Sequence, residues 1–480
     1  MKPVIANLLL ALSLPIFSYA ASPTSTQILP ETNNQTTSQP NKHRNTVQTN
    51  RQTAQAKTWK TQNAQNNQPS AKPASDNPNH PTPPLNQYGA VDVNANVPTN
   101  IQVPAVPARF KLPVLKSEIN EWPNLLPSQP ILNAKSYLLM DANSGRVLLA
   151  YNANQRVAPA SLTKLMLLYI AEKALKSGQI HLGDKVTVPR VAWATGGSRM
   201  FLRPGMQVTV QQLVDGIIVD SGNDAAVTLA TYIAGTQSAF TSLMNHEAKA
   251  LGMTNTHFTD VMGLPAPYHY SSARDMAILA RAIVTQFPQY LGWYNQKSFK
   301  FNGIKQYNFN KLLFIYQYAD GLKTGSTDAA GYSLVSTAKM PNRQLRLIGV
   351  VMGAPNPMAS ATQSKALLSF GFRFFKTQLM YTQGQIIKKI RVYMGKNKYI
   401  GVTVAHDLYA TYPNNPGQKL TANLNIKKDI QAPIKKGQKL GTVVIKLNGK
   451  VVNQAPVIAT ETNPKGNIWR RMSDKVSSWF

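Results

Sequence analysis

The stretch Ser161-Leu-Thr-Lys-Leu-Met-Leu-Leu-Tyr-Ile-Ala-Glu-Lys-Ala-Leu-Lys-Ser177, followed by Gly178, decides how this chain is read. It predicts a helix over Leu162–Ser177, opened by Ser161 and ended by the glycine. Residues three apart share a helix face, so the Ser161 hydroxyl and the Lys164 amine meet at the first turn. A serine hydroxyl is a poor nucleophile until a base lies within hydrogen-bond reach. The helix start also offers a backbone N–H beside Ser161, one half of an oxyanion hole. For Lys164 to act as that base its pKa must fall by about three units, about 4 kcal/mol against its charged form. Burial and a second cation nearby do this, and Lys323 is the candidate cation.

Two further strings converge on the same chemistry. In Ser221-Gly-Asn223, Ser221 would relay a proton from Lys164 to a leaving amine, with Asn223 holding Lys164 or a substrate amide. In Lys323-Thr-Gly325, a charge, a hydroxyl and an unobstructed backbone lie side by side on a predicted strand. Lys323 and Thr324 suit a terminal carboxylate, Gly325 lets a ligand backbone lie close, and the N–H of Ser326 would complete the oxyanion hole. A lone Ser-x-x-Lys means little, because Ser336-Thr-Ala-Lys339 also matches. That copy falls in a predicted strand, where residues three apart point to opposite faces and cannot meet. The order and flanks of the three strings carry the reading.

Around them the text predicts an α+β catalytic domain at 130–380. Ser136–Asp141 and Arg146–Tyr151 form a hairpin, and Val210–Val219 and Asn223–Ala234 are helical. Ser272-Ala-Arg-Asp275 resembles a capping box opening a helix through Ala282, with Arg274 and Asp275 as a helix-start pair. Tyr332–Ala338 and Leu345–Met352 are strands across a Pro341-Asn-Arg343 turn. Helices gathered between early and late strands indicate an antiparallel sheet plus a helical subdomain. Residues 387–460 are short Val, Ile and Thr runs broken by Pro and Gly, a small all-β sandwich-like domain. Residues 463–480 predict an amphipathic helix with Ile468, Trp469, Met472, Val476, Trp479 and Phe480 on an arc of roughly 120°. Arg471 and Lys475 border that arc, which suits an anionic membrane surface.

Residues 1–20 read as a secretory signal, with Lys2, an apolar run from Val4 to Phe17 and Ser18-Tyr-Ala20 as a cleavage site. Residues 21–129, rich in Asn, Gln and Pro, read as a disordered linker. The chain of 480 residues has no cysteine, so no disulfide staples an exported fold. Its net charge of +31 suits anionic cell-envelope polymers and lipid headgroups rather than nucleic acid, which an exported protein rarely meets. No histidine has metal-ligand spacing; His246, His257 and His269 read as structural. No phosphate loop follows a strand, so neither metal nor cofactor is expected.

The three strings, with Met200-Phe-Leu-Arg-Pro-Gly205, Val219-Asp-Ser-Gly-Asn-Asp-Ala225, Ser271-Ser-Ala-Arg-Asp-Met276, Asp320–Asp328 and Ala432-Pro-Ile-Lys-Lys-Gly437, resemble the low-molecular-mass penicillin-binding proteins of the serine D-alanyl-D-alanine carboxypeptidase family. The resemblance covers about 130 to 480. It implies a β-lactamase/transpeptidase-like catalytic domain, Ser161 as acylated nucleophile, Lys164 as base, Ser221 as shuttle and Asn223 as orienting group. Lys323, Thr324, Gly325 and Ser326 would bind substrate, a peptidoglycan pentapeptide, with β-lactams as inhibitors. DD-endopeptidase activity and a low-turnover wall-binding role stay open beside carboxypeptidase activity. Gly222 and the β domain argue against a β-lactamase. Two positions depart from the family: Ser326 stands where many members carry His, Phe or Tyr, and Phe309 stands between Asn308 and Asn310 where some carry Arg.

Overall fold

A computed structural model describes residues 126, 127 and 129–477. The expected signal segment, nearly all of the expected linker, the Lys475 and Val476 side chains, Trp479 and Phe480 lie outside the described residues.

The chain begins with a hairpin of β1 (Ser136–Asp141) and β2 (Val147–Tyr151). A 3₁₀ turn, Ala160–Thr163, leads directly into the helix Lys164–Ser177, which ends on Gly178 at φ +75°. The α-helix thus starts at Lys164, two residues later than its sequence predicts. Two short hairpins follow, β3 (Lys185–Thr187) with β4 (Gln207–Thr209), and β5 (Ser298–Phe301) with β6 (Ile304–Tyr307). Between them run the helices Val210–Val219, Asn223–Ala234, Gln237–Leu251 and Ala273–Gln286, and the short Leu291–Tyr294. Thr209 opens the first of these with a full capping box to Gln212.

Ser272 caps its helix by accepting from the Asp275 N–H at 3.2 Å, but the box stays half made. The Asp275 carboxylate instead accepts from Asn255 N and Thr256 Oγ1, both at 2.7 Å, and so ties the helix start to the preceding segment. Arg274 likewise reaches Asn154 Oδ1, at 2.7 Å. The helix runs four residues past Ala282 because Ile283 and Val284 are also buried; Pro288 ends the run.

The long strands β7 (Ala319–Thr327), β8 (Gly331–Lys339) and β9 (Arg346–Ala354) complete an antiparallel sheet in the order β2-β1-β9-β8-β7. Both faces are covered, so β1 is buried at every position. Leu138 and Met140 face the helical core, while Tyr137 and Leu139 face the helix Pro357–Phe374 on the other side. That second core continues into the C-terminal strands. There β10 (Phe375–Tyr381) pairs with β13 (Leu408–Pro413). The strands β11 (Lys388–Arg391), β12 (Tyr399–Val404), β14 (Leu420–Ile426), β15 (Lys439–Leu447) and β16 (Lys450–Ala459) form a second sheet, ordered β11-β12-β16-β15-β14. The helix Ile468–Ser477 follows.

Candidate active site

The 3₁₀ turn at Ala160–Thr163 stacks residues three apart more closely than an α-turn does. Lys164 Nζ accordingly lies 2.9 Å from Ser161 Oγ. The same amine donates to Met262 O at 3.0 Å, and the side chain is wholly buried. Burial first, then the charge of Lys323, holds Lys164 well below the usual amine range, against the opposing pull of Asp260, Asp220 and Asp224. An amine whose pKa is lowered beside a serine hydroxyl is suited to act as its base.

Met262 belongs to a segment the sequence reading passed over. Asp260 Oδ1 accepts the N–H groups of Met262 and Gly263, each at 2.6 Å, in a carboxylate-capped turn that aims Met262 O at Lys164. Gly263 sits at φ +91°, and a Cβ there would lie 1.8 Å from Ala160 O. Ala160 itself, next to Ser161, is held at φ +48°, a strained conformation for a residue with a side chain. An aspartate three residues before a glycine was the available signal. His269 supports the turn from behind: its Nε2 lies 2.8 Å from Thr163 Oγ1, and Nδ1 lies 2.9 Å from Thr259 Oγ1.

Ser221 links the helix Val210–Val219 to the helix Asn223–Ala234 with φ +59°. Its Oγ is buried and has no hydrogen-bond partner among the described residues. Asn223 is fixed to a neighbouring loop: its N–H donates to Ser198 O at 2.7 Å and its Nδ2 to Gly196 O at 2.6 Å. Asp224 holds the same loop from its other side, accepting from Met200 N at 2.8 Å and Leu202 N at 3.0 Å.

On β7, Lys323 is buried and donates to Thr324 O at 3.1 Å, while Thr324 is half-buried and Ser326 exposed. Burial pushes Lys323 down to about 7, with Asp220 opposing. Gly325 also makes room within the protein itself. A Cβ there would meet Leu162 N at 2.8 Å, Pro159 O at 2.9 Å and Ser161 N at 3.1 Å. The close approach it permits is the protein's own 159–162 turn pressed onto the strand. Phe309 is exposed, while its neighbours Asn308 and Asn310 are buried.

The decoy separates as strand geometry requires: Ser336 is buried and donates to Gly349 O at 2.9 Å, and Lys339 is exposed. Among the described residues no cluster of three or more His, Cys, Asp or Glu is arranged to hold a metal.

Residues 124–356 match the family "D-alanyl-D-alanine carboxypeptidase", and residues 375–465 match "Penicillin-binding protein 5, C-terminal domain". The D-alanyl-D-alanine carboxypeptidase DacA of Escherichia coli (strain K12) is 42% identical over 364 residues, 74% of this chain and 90% of that one. This chain belongs to the D-alanyl-D-alanine carboxypeptidase family. A second member, DacA of Haemophilus influenzae, is 43% identical over 350 residues, covering 72% of this chain and 89% of that one. The solved structure of penicillin-binding protein 5 from Haemophilus influenzae superposes with a TM-score of 0.67 at 41% identity, covering 71% of this chain and all of that one. Penicillin-binding protein 6B from Escherichia coli gives 0.57 at 37% identity, covering 69% and 97%. Such carboxypeptidases share the transpeptidase-like sheet, the helical subdomain and the C-terminal β region found here.

Proposed function

We propose that this chain is a serine carboxypeptidase that removes the terminal D-alanine from peptidoglycan stem pentapeptides and is acylated by penicillins. The observation that carries the reading is the buried Lys164 amine 2.9 Å from Ser161 Oγ, held below its usual pKa. Neutral Lys164 takes the Ser161 proton as Oγ attacks the carbonyl between the two D-alanines. The N–H groups of Ser161 and Ser326 receive the oxyanion. Ser221, with its unpartnered hydroxyl, passes the proton to the departing D-alanine amine, and Asn223 keeps the 196–198 loop against that turn. Lys323 and Thr324 hold the terminal carboxylate. Water then hydrolyses the acyl-enzyme. The test is release of D-alanine from a pentapeptide by wild type and Ser161→Ala, with labelled penicillin as the acylation probe. The variant should lose both by at least about 10³-fold; a wild type that leaves pentapeptide intact overturns the reading.

The same proposal places the protein on the outer face of the cytoplasmic membrane. Among the described residues no helix is long and apolar enough to cross a bilayer. On the terminal helix, Ile468, Trp469 and Met472 are 66%, 77% and 59% exposed. Asp474, roughly opposite at 100° per residue, is buried and accepts from Met394 N at 2.7 Å. One face is thus tied to the β region and the other left apolar toward lipid headgroups. Asn463 is integral to the fold, accepting from Asn397 N and donating to Asn397 O, both at 2.9 Å. Deletion should therefore begin at Ile468. Sedimentation with vesicles containing anionic lipid is expected to vanish in that deletion; retained sedimentation refutes the attachment.

A further inference from the structure

We propose that His269 is a positioning residue of this site, whose imidazole ties Thr163, the neighbour of Lys164, to the 259–263 turn whose Met262 carbonyl holds the lysine amine. The inference rests on the carboxypeptidase reading and goes beyond the three strings, none of which contains His269.

The Lys164 amine has two partners, Ser161 Oγ at 2.9 Å and Met262 O at 3.0 Å. Ser161 lies on the turn that opens the lysine's own helix, whereas Met262 lies 98 residues further along the chain. The geometry of the amine therefore depends on how two separate segments are held against each other. His269 is 5% exposed, and Thr163 is wholly buried. The Nε2 atom of His269 lies 2.8 Å from Thr163 Oγ1, on the residue that precedes Lys164. Its Nδ1 lies 2.9 Å from Thr259 Oγ1 and accepts the Thr259 N–H at 3.3 Å. Asp260 follows Thr259, and its Oδ1 accepts from both Met262 N and Gly263 N. One ring thus joins the two segments that carry the partners of the lysine.

Those contacts also fix where the ring proton sits. A backbone N–H can only donate, so Nδ1 is an acceptor and Nε2 carries the hydrogen, which it donates to Thr163 Oγ1. Burial, joined by the charge of His257 and opposed by Asp260, lowers the imidazole below its usual range, in keeping with that neutral form. The backbone that presents the ring is itself pinned on two sides. Tyr270 exchanges hydrogen bonds with His257 at 2.9 and 3.0 Å, and Ser271 exchanges them with Val157 at 2.8 and 2.9 Å. Phe258 packs edge-on against the imidazole, with centroids 5.9 Å apart. Without the bridge, the 160–163 turn can shift against the 259–263 turn, and reacting groups tolerate little displacement.

The test compares wild type, His269→Phe and His269→Gln in pentapeptide hydrolysis, with kcat and KM resolved, and in acylation by labelled penicillin. Phenylalanine fills the space and makes neither hydrogen bond; glutamine offers one donor and one acceptor, as the neutral imidazole does. His269→Phe should lower kcat and slow acylation by at least about tenfold. KM should stay within about twofold, because the bridge acts on Lys164 rather than on bound peptide. His269→Gln should recover most of the lost rate. Thr163→Val removes the partner of Nε2, so adding it to His269→Phe should cost little beyond either change alone. If His269→Phe fails to fold, Thr163→Val with and without His269→Gln makes the same comparison, and the pair should be no slower than Thr163→Val. Losses that multiply in the double variant, or a glutamine variant as slow as the phenylalanine one, overturn the proposal. A lower melting temperature with acylation unchanged does so too, and leaves His269 a purely structural residue. A wild type that leaves pentapeptide intact would instead refute the carboxypeptidase reading.

Discussion

Gly263 shows how a single atom position governs the turn that carries Ser161. No L-residue sits easily at φ +91°, and an added methyl would lie 1.8 Å from Ala160 O, backbone that cannot rotate away. Gly263→Ala must therefore displace either the Met262 carbonyl that holds Lys164 or the strained Ala160–Ser161 peptide. A displacement of about 1 Å at reacting atoms costs about 10²-fold. Acylation by labelled penicillin should slow by that order, together with a lower melting temperature; an unchanged acylation rate would show that the turn relaxes harmlessly. Ser161 and Lys164 were legible in sequence because three residues of spacing bring them together in any helical turn. Gly263 was not, because its constraint comes from chain about 100 residues away.

At the scale of elements, the Lys164–Ser177 helix is anchored by a carboxylic acid that its apolar pattern conceals. Glu172, two turns beyond Lys164, is buried and accepts from Tyr294 Oη at 2.6 Å, joining the Lys164–Ser177 helix to the short Leu291–Tyr294 helix. Burial pushes its carboxyl up to about 8 from the ordinary 4.5. The folded state thus keeps a proton that the unfolded state releases between those values. The stability tied to that proton is complete below about 4.5 and is lost as pH rises to about 8. Glu172→Gln cannot ionise, so its melting temperature relative to wild type should climb between about pH 5 and pH 8. A difference that stays constant over that range would refute the assignment. Hairpins and helices were readable from period and turn residues. The 3₁₀ start at Ala160 and the half-made cap at Ser272 were not, because neighbouring segments compete for the same hydrogen bonds.

For the molecule as a whole, the junction between the catalytic sheet and the C-terminal strands is polar and buried. Asp141, at the end of β1, accepts from Ser144 Oγ at 2.8 Å, from Thr377 Oγ1 of β10 at 2.9 Å and from Thr411 Oγ1 of β13. Arg146 crosses the same boundary to Val452 O at 2.6 Å. Asp141→Ala would leave those hydroxyls without their acceptor and should cost about 1–3 kcal/mol for each one orphaned. Calorimetry should show a lower melting temperature, while the acylation rate at 25 °C stays within about twofold; an unaltered melting temperature would mean that the junction is held by its apolar core alone. By itself the sequence determined the α+β region, the all-β region after it and the three strings on which the proposed chemistry rests. All of these depend on spacing within one element, where period and turn residues fix which side chains meet. Only the tertiary structure decided that Gly325 makes room for the 159–162 turn, and that Asp260 and Gly263 shape the segment whose Met262 carbonyl holds Lys164. Those relations join segments far apart in the chain, and close packing, which no local pattern encodes, sets them.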